Sequence, residues 1–208
     1  MLVLCCGTAT EIGKTWVGAA TLADLRLRGR TVSVRKPAQS HDPDDPAPLD
    51  AAVLAAATGE DPDDVCSPDR TYPLPMAPPM AAAALGRPVP LLEDLLAELT
   101  WPEPEPDIRW VETVGGPRSP VAVDADAVDL AKALLPDRIV LVADAGLGTI
   151  NAVRLSMAPF LELGFEPLVI LNRFDLHHDL HRRNAAWLQQ QGVPVLLSVE
   201  ALSEVLSL

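Results

Sequence analysis

Short apolar runs recur along this chain, and each is followed by a longer stretch with helical spacing. The runs are Met1–Cys6, Thr31–Arg35, Ile108–Val114, Arg138–Ala143, Pro167–Leu171 and Val193–Val199. Val, Ile and Leu dominate them, with little polar alternation. Strands with one wet face alternate; strands covered on both faces do not. The runs therefore read as parallel strands of an α/β sheet with helices on both faces. Segments 14–29, 49–58, 76–85, 90–99, 125–135, 151–163, 179–191 and 200–206 read as the helices, joined by right-handed crossovers. Gly29, Gly59, Gly86, Gly164 and Gly192 fall where helices should stop.

One region breaks the rhythm. Residues 37–48 and 60–106 hold most of the 21 prolines. Stretches such as YPLPMAPPM and WPEPEPD continue neither a helix nor a central strand. The expectation is one domain over 1–208, with a proline-rich surface excursion at about 60–106 that carries one or two short helices. The excursion leaves from the carboxyl end of a strand, the edge where open α/β sheets bind ligands, so it is placed to wall a pocket.

Composition removes several classes. A net charge of −13 argues against a general nucleic-acid binder. No apolar run approaches the ~18 residues of a membrane span, and MLVLCC lacks the basic start of a signal peptide. Three cysteines with no CxxC pair form neither a disulfide framework nor a thiolate metal site, which points to a reducing cytoplasm. His177, His178 and His181 cluster near Asp175 and Asp179, without the spacing that sets two ligands on one helix face. They read as a solvated helix start.

Residues 7–15 are GTATEIGKT, directly after an apolar strand and directly before a helix. This is the setting of a phosphate loop. Its glycines let backbone N–H groups turn inward, and the helix N-terminus adds partial positive charge. Lys14 would reach the terminal phosphates and the Thr15 hydroxyl would meet Mg²⁺. Five residues separate Gly7 from Gly13, one more than the strict pattern, so the match is to an extended variant. Magnesium also needs a carboxylate. Glu112 and Asp144 end two of the predicted strands and compete on equal terms; Asp50 alone reads as a helix N-terminal acid. Of the 16 basic residues only Lys14, Lys36 and Lys132 are lysines. Lys36, in VRKPAQS, shares the carboxyl edge with the phosphate loop, whereas Lys132 has the setting of a solvated helix face.

The chain resembles the dethiobiotin synthetases of biotin biosynthesis over most of its length outside the excursion. GTATEIGKT at 7–15, KPAQS at 36–40, LDA at 49–51, VETVGG at 111–116, GLGTIN at 146–151 and LNRF at 171–174 carry the resemblance, in matching order and spacing. It implies a three-layer P-loop NTPase-like fold and a homodimer. It also implies a reaction in which ATP and Mg²⁺ activate a carbamate made from CO₂ and 7,8-diaminononanoate. A carbamic–phosphoric anhydride forms, and the second amine closes the ureido ring.

By the same resemblance, Lys14, Lys36 and Thr10 are catalytic. Thr8, Glu11, Ile12, Gly13, Lys14 and Thr15 bind the nucleotide phosphates, while Asn172, Ser198, Val199 and Glu200 meet or border the purine. Thr10, Lys36, Ser40, Gly115 and Gly116 bind the diamine carbamate. Gly148, Thr149, Ile150 and Asn151 bind the substrate carboxylate from the partner subunit. Thr15, Asp50 and Glu112 ligate the metal, which decides against Asp144.

The chain departs from the family pattern at Ala9, usually Asp, at Thr113–Val114, usually Gly–Ala, at Ala152, often His, and in a final SVEAL without the frequent Pro. Three other readings compete. One is a carboxylate-activating synthetase of the cobyrinic-acid diamide type, for whose glutaminase domain 208 residues leave no room. Another is a ParA/MinD-like ATPase switch, whose extra loop lysine is missing from GTATE and whose surface partners the acidic charge disfavours. The last is a degenerate nucleotide binder, suggested by Ala9.

Overall fold

The computed structural model describes residues 1–208. The chain begins with strand β1 (Leu2–Gly7), helix α1 (Lys14–Leu27) and strand β2 (Val32–Arg35). A long excursion follows: β3 (Gln39–Ser40), α2 (Asp50–Thr58), α3 (Pro62–Val65), a 3₁₀ turn at Pro68–Arg70, β4 (Thr71–Tyr72), α4 (Pro78–Ala84) and α5 (Leu92–Glu98). The chain then alternates regularly through β5 (Ile108–Glu112), α6 (Ala127–Leu134), β6 (Arg138–Asp144), α7 (Thr149–Leu161), β7 (Leu168–Asn172), α8 (Asp179–Gln190), β8 (Val195–Leu196) and α9 (Val199–Ser207).

The main sheet has six strands in the order β2-β5-β1-β6-β7-β8, all parallel. Alternate residues of each strand serve opposite layers, as the two-residue repeat requires. Val3, Cys5, Val34, Trp110, Val140 and Val142 pack with Val17, Leu22 and Leu25 of α1, Leu54 of α2 and Leu202 and Leu206 of α9. Leu4, Cys6, Val111, Leu141, Ala143 and Leu171 face the other way, onto Val128 of α6, Val153, Met157 and Phe160 of α7 and Leu188 of α8. The result is the expected three-layer α/β fold. β1 lies inside the sheet, so its carboxyl end and the loop after it open at the centre of the edge where ligands bind.

The proline-rich excursion is more structured than its composition suggests. Helices at 76–85 and 90–99 form within those bounds, and Pro78 opens α4 where a proline is tolerated. The small parallel pair β3–β4 and the short α3 have no counterpart in the sequence pattern. Tyr72, Ala81, Ala82 and Leu95 form a separate apolar cluster with Ala38, Val121, Ala122 and Leu130. That cluster ties the excursion to the turn after β5 and to α6.

Three of the boundaries that differ from the sequence reading lie next to predicted site residues. β5 ends at Glu112 rather than Val114, because the chain turns at the double glycine. β8 shrinks to Val195–Leu196, and Ser198 instead caps α9 by accepting from the Ala201 N–H. α7 starts at Thr149, so Gly148–Asn151 is a helix N-terminus rather than a free turn.

Phe160 is fully buried between α7 and the sheet. Phe160→Ala is expected to lower unfolding free energy by about 3–5 kcal/mol, read from urea denaturation. A loss below about 1 kcal/mol would place that layer outside the cooperative core.

Candidate active site

The loop Thr8–Gly13 curls back over the end of β1. The Thr8 N–H donates to the Val142 carbonyl at 2.9 Å, fixing the loop's start on β6. A Cβ at Gly7 would lie 2.8 Å from Ile12 Cγ2 and 3.1 Å from Lys14 Cδ, so only glycine lets the loop fold this tightly. Gly13, with φ of 91°, turns the chain into α1, and a Cβ there would lie 2.1 Å from the Asn172 side-chain nitrogen. That Asn172 nitrogen donates to the Ile12 carbonyl at 2.9 Å and clamps the loop from β7. Lys14, the first residue of α1, is buried and donates to the Ala9 carbonyl at 3.4 Å. A glycine-hinged loop with a lysine, running into a helix N-terminus, is an anion cradle.

Beside the loop lies a buried charge cluster. Lys36 Nζ sits 2.7 Å from Glu112 Oε1 and 2.9 Å from Asp50 Oδ2. The Thr15 hydroxyl donates to the same Glu112 oxygen at 2.8 Å. The Glu112 side chain is 0% exposed and that of Lys36 is 2% exposed. Burial favours the neutral amine of Lys36, but Glu112 and Asp50 outweigh it and hold the group above its ordinary value. Burial likewise pushes the Asp50 carboxyl up, and the Lys36 charge more than reverses this. That contribution to stability is in place above about pH 4 and is lost as the pH falls through the depressed value. Asp50 is also the first residue of α2, where a helix favours an acid.

Thr15, Asp50 and Glu112 thus converge. Asp144 does not join them. Its carboxylate accepts from the Gly146 N–H at 2.7 Å and pairs with Arg173 at 3.2 Å. Glu112 and Asp144, alike in the sequence, thus have different partners in the structure. One hydroxyl and two carboxylates suit Mg²⁺, which completes its shell from phosphates and water. The second Glu112 oxygen, buried and without a partner, fits such a donor set. The histidines lie elsewhere: His178 stands at the N-cap position of α8 without a side-chain capping bond and stacks on His181 with ring centres 4.2 Å apart.

Other predicted residues fall around this centre. Gly115 and Gly116 lie against the phosphate loop: a Cβ on Gly116 would be 3.4 Å from the Thr8 carbonyl oxygen, and one on Gly115 3.7 Å from Thr10 Cγ2. Thr8 is half-buried, as is Ile12, while Thr10 and Glu11 are exposed at the loop's tip. Ser40 is turned away, its hydroxyl donating to the Met76 carbonyl at 2.6 Å. Gly148, Thr149, Ile150 and Asn151 open α7, beyond the carboxyl end of β6, and make no hydrogen bond with the Lys36 cluster.

A cavity of about 590 Å³ opens on the far side of Gly13. Asn172, Ser198, Val199 and Glu200 line it, together with Trp16, Arg173, Phe174 and Leu197. The last four were missed. Trp16 had a readable cue: it follows the GKT directly, at a helix position where the structure leaves the ring 60% exposed. Arg173 also donates to the Glu11 carbonyl at 3.0 Å, and nothing in the sequence marks that long-range contact. Asn184 of α8 donates to the carbonyls of Ala145 and Gly146 at 2.9 and 2.8 Å, fixing the approach to α7. It too was missed.

The fold and the loop define a P-loop nucleotide-binding protein. A family model described as an AAA domain matches residues 2–207. Among solved structures, the signal recognition particle receptor FtsY from Elizabethkingia anophelis matches with a TM-score of 0.53 at 12% identity, over 99% of this chain and 64% of that one. That likeness concerns the fold alone. Sequence relatives narrow the class. An ATP-dependent dethiobiotin synthetase BioD of Xanthomonas euvesicatoria pv. vesicatoria is 34% identical over 190 residues, covering 89% of this chain and 84% of the relative. One from Streptomyces coelicolor is 34% identical over 201 residues, covering 94% and 82%. The chain belongs to the ATP-dependent dethiobiotin synthetase family, P-loop ligases of biotin biosynthesis.

Removing one partner of the Lys36–Glu112 pair leaves a charge buried and uncompensated. Lys36→Met alone is expected to reduce stability by about 3–5 kcal/mol. Adding Glu112→Gln should recover most of that loss in a double-mutant cycle. Simple additivity of the two losses would show that the ion pair is not the coupled unit described here.

Proposed function

We propose that this protein makes dethiobiotin from 7,8-diaminononanoate, CO₂ and ATP, with Mg²⁺, through a carbamic–phosphoric anhydride. The observation that carries the reading is the convergence of Lys36, Thr15, Asp50 and Glu112 beside a phosphate loop. In this reading residues 1–208 act as one P-loop domain walled by the excursion, in the cytoplasm.

Thr8, Glu11, Ile12, Gly13, Lys14 and Thr15 hold the phosphates, with the helix N-terminus after Gly13 adding partial positive charge. Trp16, Asn172, Ser198, Val199 and Glu200 border the base. Thr15, Asp50 and Glu112 hold Mg²⁺, which when bound neutralises phosphate charge and orients the transferring group. A carbamate is already an oxyanion nucleophile, so the first step needs placement and charge rather than a strong base. Lys36 supplies that charge between carbamate and phosphate, and Lys14 stabilises the transferring phosphoryl group. Thr10 and Ser40 hydrogen-bond the carbamate; Ser40 first exchanges its present partner, the Met76 carbonyl. Gly115 and Gly116 let the backbone approach the diamine.

The carboxylate of the diamine is bound at Gly148, Thr149, Ile150 and Asn151 of a second subunit. Two observations support a homodimer on this face. A helix N-terminus suits a carboxylate. Leu147, 92% exposed, lies just before α7, which itself exposes Leu155 and Leu161. Leu155→Asp is expected to shift the protein from dimer to monomer in sedimentation velocity and to lower activity. A monomeric wild-type protein would remove this part of the reading.

The deciding experiment is phosphate release from ATP with bicarbonate, with and without the diamine, alongside detection of dethiobiotin. Release should depend on the diamine; release indifferent to it sinks the synthetase reading. Lys36→Ala should abolish coupled turnover while nucleotide binding persists, and sustained turnover would remove the role given to Lys36.

A further inference from the structure

Trp110 stands on β5 two residues before Glu112, so both side chains leave the same face of the sheet. Both are fully buried, and Trp110 is the largest side chain so enclosed. Its indole nitrogen, Nε1, has no hydrogen-bond partner. Neither has Oε2 of Glu112, because Lys36 and Thr15 both address Oε1. The two unpaired atoms border one place. A Cβ added to Gly18 of α1 would lie 3.3 Å from Trp110 Nε1 and 3.4 Å from Glu112 Oε2. An indole nitrogen only donates and an ionised carboxylate only accepts, so the two are complementary across the notch that glycine leaves in α1.

We infer that Trp110 is a positioning residue for Glu112. A water bridging its N–H and Oε2 across the Gly18 notch takes one acceptor site of that oxygen, leaves the other for the metal, and keeps Oε1 turned toward Thr15 and Lys36. Gly18 belongs to the same device, since a methyl group there would fill the space between the two atoms, touching Leu54 Cδ2 as well. The inference rests on the reading of Glu112 as a metal ligand. Partners that orient a ligating carboxylate typically carry about 10–100-fold in metal affinity.

Mn²⁺ serves as the probe, with free ion counted by electron paramagnetic resonance in the presence of ADP and without diamine, so no turnover is needed. Trp110→Phe removes the N–H and keeps most of the ring. It is expected to weaken Mn²⁺ binding about tenfold while ADP affinity measured in EDTA stays unchanged. Gly18→Ala, which keeps the indole and fills the notch, should have the same selective effect and stands in if Trp110→Phe does not fold. Wild-type Mn²⁺ affinity in a folded Trp110→Phe protein overturns the inference. So does a parallel loss of Mn²⁺ and metal-free ADP affinity, the mark of a packing role alone. Glu112→Gln separates the two levels: if it leaves Mn²⁺ binding intact, the metal reading fails and takes this inference with it. Trp110 is also the one buried tryptophan of four, so its indole N–H should exchange slowly with solvent. That resonance should move on Glu112→Gln, and a stationary one contradicts the contact.

Discussion

The Lys36–Glu112 ion pair sits at the centre of everything the site does. Glu112 ends a strand inside the sheet, with no exposed surface, and Lys36 follows the neighbouring edge strand. Buried ion pairs are weak contributors to net stability, because desolvation offsets much of the attraction. Their value lies in geometry. Here the pair pulls the chain after β2 against the end of β5, and Asp50 of α2 closes onto the same ammonium. The excursion between β2 and β5 is therefore anchored at its base by charge and farther out by the apolar cluster around Tyr72 and Leu95. A region with so many prolines needs both, since its strands are two residues long and a proline donates no backbone N–H.

The phosphate loop depends on contacts of a different kind. Its shape is set by what the glycines exclude. Gly13 and Asn172 fit together so closely that the amide occupies the place a Cβ would take. The same amide clamps Ile12 and lines the neighbouring cavity. The phosphate loop and the neighbouring cavity are in this way one mechanical unit, joined through a single side chain on β7. Arg173, the next residue, extends the joint by bridging the Glu11 carbonyl and Asp144.

Layer order, the strand and helix sites and the phosphate loop were legible in the sequence because each is a local pattern. Period and breaker residues report themselves within a dozen positions. The convergence of Thr15, Asp50 and Glu112 was not legible from the residues alone. Glu112 and Asp144 end strands in the same way, and only the resemblance separated them. The structure separates them physically: Asp144 is taken up by Arg173 and the Gly146 N–H, whereas Glu112 faces Lys36. Trp16, Arg173 and Asn184 escaped for a related reason. Their roles are made by partners far away in the chain, and no spacing rule encodes such pairs. Short β3 and β4 were also invisible, since two-residue strands carry no periodicity.

A net charge of −13 looks hostile to a ligand set made of anions. The arrangement around Lys36 removes the difficulty without changing the total. An ammonium has three donors that rotate about its stem. Glu112 and Asp50 engage two of them, and in the proposed reaction the third would meet the incoming anion. A guanidinium in the same place would offer a fixed planar fork, which two carboxylates at right distances can saturate. In a chain whose cations are mostly arginine, lysine at position 36 is therefore a choice of donor geometry. In the proposed reaction the surrounding carboxylates hold the ammonium still and charged, which is what a site that joins two anions would require.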